Sequence, residues 1–205
     1  MAYLFLALPA IIFVITFHEF AHAITAVWMG DKTPEYMNRT NLNPVNHFDP
    51  VGFLAIVITL LTGKGIGWGK PVVINPLNFR NRAVGEFWVA FAGPLSNILL
   101  TIISIIIYYF LQHLPVPQAI LLFILTLADT SLFLAVFNLL PIPPLDGFTV
   151  LQYILPQRLS LKLDKIKPFS IFIFMLFIFT PLKVFLIVPY RLLKFLLIDS
   201  IIGGG

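Results

Sequence analysis

The stretch "FVITFHEFAHAITAVW", residues 13–28, decides the reading. It is apolar enough to lie in a bilayer, yet it carries His18, Glu19 and His22 in its middle. An ionisable group at the centre of a membrane helix costs about 2.5–3.5 kcal/mol on insertion scales, so three within five residues call for a reason. On a helix, positions i and i+4 share one face, and His18 and His22 can aim both rings at one metal ion. Glu19 is turned by about 100° from His18 and still reaches a water beside that ion. H-E-x-x-H is the spacing that a zinc site with a general base requires.

The rest of the chain supports a membrane setting. Of its 205 residues, 59% are hydrophobic and only 11% charged, against about 25% charged in an ordinary soluble domain. The length suits one compact unit of several spans: a single membrane-embedded domain over 1–205, with a core at about 3–151 and a C-terminal membrane region at about 168–200. There is no cysteine, so disulfides and thiolate ligands are excluded and any metal must be held by imidazole and carboxylate. The net charge of +4 is small and sits in loops, with no basic stripe interleaved with aromatics. It reads as an orientation signal, and nucleic acid is not an expected partner.

Along the chain, residues 3–29 form the first expected span, retained because no basic residue precedes it and it outlasts a secretory apolar region. Pro9 is placed to kink it. Residues 31–50 are polar, and 53–61 are apolar but too short to cross, which suggests a partly inserted segment. Residues 63–75, with glycines, Trp68 and Val72-Val73-Ile74, suggest either a short hairpin at the interface or an irregular Gly-rich loop. Residues 87–111 and 119–140 are the second and third full spans. Gly93-Pro94 should bend the second or let a neighbour approach closely. Residues 169–197 form one kinked helix or two shorter elements, broken at Thr180-Pro181 and Lys183. The fold class is therefore an all-α polytopic membrane protein: three core helices, a C-terminal membrane helix or helices, and a small membrane-associated β element.

Lys and Arg cluster in two regions, between the first and second spans and after the third, whereas the 112–118 turn has none. The positive-inside rule places both basic regions in the cytoplasm, with the site opening toward that side of the cell membrane.

A catalytic zinc needs a third protein ligand and an open position. The candidates are His47, His113, Asp129 and Asp146. His113 lies on the far turn. Asp129 is nine residues before Asn138, about 14 Å deeper on a plain helix, and is better read as paired or as an outer-leaflet polar residue. Asp146, in "NLLPIPPLDG" of residues 138–147, follows the third span where a proline-broken backbone can turn back inward. It is the best third ligand by depth.

The H-E-F-A-H of the first span, "AGPLSN" of residues 92–97 and "NLLPIPPLDG" together resemble the site-2 protease family of intramembrane zinc metalloproteases. The resemblance runs over about residues 13–151. It implies that His18, His22 and Asp146 bind one Zn2+, that Glu19 is the catalytic base, and that Asn97 and Asn138 bind unwound substrate. It also implies regulated intramembrane proteolysis, with hydrolysis of a peptide bond in a transmembrane protein within or near the bilayer. The strand candidate at 63–75 would pair with extended substrate. "HFDPVG" of residues 47–52 resembles the family's loop before its inserted segment, without making His47 a ligand. No PDZ or CBS insertion is visible, which suggests a minimal member whose docking or regulatory module is absent or supplied by a membrane partner. The rival from another class is a membrane metal transporter or metal-binding protein that uses the histidines for cargo. It calls for polar groups strung across the bilayer, whereas the sequence offers one cluster and Asp129.

Overall fold

The computed structural model describes residues 2–62 and 67–202. Three long apolar helices form its centre: α1 (Ala2–Met29), with α4 (Arg82–Leu111) and α5 (Gln118–Asn138) packed on it and on each other. All three are long and apolar enough to cross a membrane. Their contacts are made by small side chains: Ala10, Ala23, Ala26, Ala128 and Ser131 are wholly buried. In lipid there is little hydrophobic drive between helices, and small residues let backbones close on each other. Pro9 and Pro94 lie inside continuous helices. The close approach expected at Gly93-Pro94 is observed: a Cβ on Gly93 would run into the rings of His18 and His22 on α1.

Between α1 and α4 the chain forms a short α2 (Thr33–Tyr36), a loop, and α3 (Pro50–Thr62), the short apolar segment expected from the sequence. After α5 the chain reverses through residues 139–145 into α6 (Asp146–Ile154), which returns along α4. Gly147 makes that reversal feasible: a Cβ there would run into the Leu139 and Leu140 carbonyls. Beyond α7 (Gln157–Asp164), the C-terminal region comprises α8 (Ser170–Phe179) and α9 (Val184–Lys194). The two are separate elements, bent by 79° at the Pro181 break. Thr180 begins the break by accepting a hydrogen bond from the Leu182 N–H, where Pro181 cannot continue the ladder.

The expected small β element is not formed: no strand is present among the described residues. Residues 63–66 of that expectation lie outside them. Residues 67–75 run extended, but their donors go elsewhere. The Lys70 N–H bonds the His47 carbonyl at 2.9 Å, the Val72 N–H bonds Glu19 at 3.1 Å, and the Asn75 N–H bonds Asp31 at 2.6 Å. Pro71 has no N–H to offer a partner strand. Gly69 and Gly67 let this strap lie against Ile15 of α1 and Ile56 of α3, where a Cβ would collide. Helices and side chains thus take the place of the second strand.

Candidate metal centre

Helix α1 places His18 and His22 one turn apart on the face turned to α4, and both are buried. Their Nε2 atoms are 3.0 Å apart. The reversal after α5 brings in Asp146 at the first turn of α6. Its Oδ2 lies 3.2 Å from His18 Nε2 and 3.4 Å from His22 Nε2. That oxygen is buried and accepts no hydrogen bond. Three donor atoms thus crowd one point. The spacing suits a zinc ion: with bonds of about 2.0–2.2 Å, two ligands of a tetrahedron stand about 3.3 Å apart. A buried carboxylate oxygen without a proton donor is costly unless a cation answers it.

Helix α4 closes the back of the cradle. A Cβ on Gly93 would meet His22 Nε2, and would come within 2.6 Å of His18 Cε1. Glycine is therefore the residue that lets α4 approach the two rings. The Val89 carbonyl, one turn earlier, lies 2.6 Å from His22 Nδ1 and takes its proton. That fixes the tautomer whose Nε2 lone pair points to the centre.

Glu19 stands beside the cradle. Its Oε2 accepts the Val72 N–H of the strap and lies 3.7 Å from the Arg39 guanidinium, and among the described residues no donor reaches Oε1. Arg39 is buried and also donates to the Lys70 carbonyl, so it touches both the strap and the carboxylate. Burial lowers the Arg39 pKa, and Glu19 opposes that shift. The strap is anchored at its far end by Asp31, which is wholly buried. Asp31 accepts from the Thr33 N–H and hydroxyl, the Asn75 N–H and the Asn78 amide. Burial would raise the Asp31 pKa, but these donors hold it below the usual carboxylate value.

His18, Glu19, His22, Asp146 and Asn138 face a cleft of about 760 Å³. Its walls are the strap, α4, α5 and the α8 side chains Ile171, Phe174 and Met175. Asn97 is elsewhere: it is wholly buried behind His18, with its amide nitrogen 3.1 Å from His18 Nδ1. His47 is buried in the loop with Nε2 on the Asn41 carbonyl, and His113 sits on the distant turn beside Gln112. Asp129 is paired, with Lys194 Nζ at 2.8 Å and the Tyr190 hydroxyl at 2.7 Å.

The sequence of Peptidase family M50 is matched over residues 116–181, the segment that contains Asn138 and Asp146. "Putative zinc metalloprotease YwhC" of Bacillus subtilis is 31% identical over 181 residues, covering 85% of this chain and 80% of the relative. The chain belongs to peptidase family M50. Two further relatives agree: "Putative zinc metalloprotease Rip2" of Mycolicibacterium smegmatis is 29% identical over 80% of this chain, and its Mycobacterium tuberculosis namesake 30% over 79%. The chain spans 62% and 61% of those two proteins. No solved structure matches. Family membership and the relatives' names support a metalloprotease, hence a hydrolase, carried on a multi-pass helical membrane scaffold.

Sequence reasoning found the histidine pair, Glu19 and Asp146. It treated Arg39 only as a loop charge and gave no role to Asp31 or Val72. Arg39 is one of six basic residues between the first two long spans, and nothing local marks it as the buried one.

Proposed function

We propose that this chain is a zinc-dependent intramembrane endopeptidase that cleaves a transmembrane protein within or near the bilayer, in regulated intramembrane proteolysis. The observation that carries the proposal is the convergence of His18, His22 and the unbonded Asp146 oxygen beside Glu19, in a cleft between membrane helices. His18, His22 and Asp146 would hold one zinc ion, which supplies a water of lowered pKa and polarises the scissile carbonyl. Glu19 takes the water proton at Oε1 and hands it to the leaving amine, while the Val72 N–H and Arg39 keep Oε2 in place. The strap and α8 form walls of the cleft that holds Glu19. A substrate helix must unwind, since its amides are otherwise hydrogen-bonded within the helix. Asn138 faces the cleft, where its amide can bond the exposed backbone. The positive-inside pattern supports a site that opens toward the cytoplasmic side of the cell membrane.

The test is Glu19→Gln in the purified chain, presented with a detergent-solubilised single-span polypeptide. Cleavage is expected to fall by about 10²–10⁴-fold, with one zinc still bound. Undiminished cleavage would remove Glu19 as the base. A chain that binds zinc but cleaves no membrane polypeptide would favour a cargo or storage role.

A further inference from the structure

The two histidines are held differently from behind. His22 gives its Nδ1 proton to a backbone carbonyl, that of Val89. Among the described residues, His18 has no backbone acceptor at Nδ1. Its neighbour there is the side chain of Asn97, 3.1 Å away, and this amide is wholly buried. Val89, Gly93 and Asn97 fall at four-residue intervals on one stripe of α4. The stripe thus offers a carbonyl to His22, open space to both rings, and an amide to His18.

The oxygen and nitrogen of an amide exchange places by a half-turn and are told apart by their hydrogen bonds. With the nitrogen toward His18, Nδ1 must accept, and Nε2 carries the proton and points N–H at the Asp146 side. With the oxygen toward His18, Nδ1–H donates and the Nε2 lone pair is free for a metal. The Asn97 oxygen is buried without a partner in the first orientation. Either orientation leaves one end of the amide unpaired, but only the second leaves His18 able to ligate.

We infer that Asn97 is a positioning residue for the metal centre: its amide oxygen accepts the His18 Nδ1 proton, fixing ring angle and tautomer so that Nε2 faces the ion. This rests on the zinc reading of the site. Asn97 then acts through His18 and does not touch the substrate, unlike Asn138 in the cleft wall. Partners of this kind are worth about 10–100-fold in metal affinity.

The experiment measures zinc dissociation constants of the purified full chain in detergent, by competition with a chromophoric chelator. The unsubstituted chain should bind one zinc. Asn97→Leu, close in volume but unable to accept, should bind about 10–100-fold more weakly. Asn97→Asp, a stronger acceptor, should bind at least as tightly as the unsubstituted chain and shift the visible bands of the cobalt-substituted protein. Asn138→Leu should leave affinity unchanged. Equal affinity in Asn97→Leu and the unsubstituted chain would overturn the inference while the zinc reading stands. Should Asn97→Leu fail to fold, Asn97→Asp decides: weakened binding, or cobalt bands that do not move, overturns it. Absence of zinc binding in the unsubstituted chain would instead overturn the zinc reading beneath it.

Discussion

Two half-buried carboxylates in this protein meet opposite ends. Asp129, within α5, is answered by the chain's own groups: Lys194 and the Tyr190 hydroxyl, one turn apart on α9, both reach its Oδ1. Asp146, just past the end of α5, has an oxygen that is buried and accepts no hydrogen bond, with two imidazoles crowded against it. A buried charge is tolerated when it is paired. The paired carboxylate pins the C-terminal helix to the core. The unpaired one carries the oxygen that the proposed zinc ion would answer. Depth in the membrane is a poor guide to function here; whether the fold has already satisfied the group is a better one.

The hardest test of that contrast is Asp146→Ala. It should cut zinc affinity by more than the roughly 100-fold seen for outer partners and abolish cleavage. The zinc-free chain should be as stable as before or more so, since an unanswered carboxylate has gone, and thermal unfolding in detergent with a chelator would show it. Clear destabilisation of the zinc-free chain would mean that Asp146 is structural after all. Gly93→Ala comes next. Its methyl would displace the His22 and His18 rings, and a displacement near 1 Å can cost about 10²-fold in rate, read as loss of polypeptide cleavage.

Asp129→Leu should do the reverse of Asp146→Ala. One zinc stays bound, and stability falls by about 1–3 kcal/mol as Lys194 loses its partner. The double variant Asp129→Leu/Lys194→Leu should recover part of the loss, because an apolar pair can replace an ion pair once both charges are gone. The smallest effect is that of Asp31, a third carboxylate, wholly buried and satisfied by donors. Its pKa is depressed in the folded chain, so its contribution is full above the ordinary carboxylate value of about 3.9 and is lost as pH falls below it. The stability difference between the zinc-free chain and Asp31→Asn should therefore be constant from pH 7 to 5 and shrink toward pH 3.

How much was legible beforehand follows the same line. His18, Glu19 and His22 fall within five consecutive positions on one helix, and helical periodicity alone brings their side chains together. The three long spans are visible because a bilayer demands about 20 apolar residues in a row. Asp146 was reachable because few carboxylates exist and prolines mark the reversal before it. The β element expected within 63–75 does not form over the described residues 67–75; glycines and β-branched residues fit any extended backbone. Whether an extended segment pairs with a strand or with side chains depends on what lies beside it.

The sequence by itself determined the membrane setting, the count of long spans and the histidine pair of the candidate metal centre. Hydropathy and local helical spacing act within one segment, with no need of the rest of the fold. Only the tertiary structure decided that Arg39 and the Val72 N–H hold Glu19, that Gly93 admits α4 to the rings, and that Asn97 backs His18 whereas Asn138 lines the cleft. Those assignments join residues 20 to 79 positions apart. They depend on how closely two helices approach, and that distance is set by packing that no single segment records.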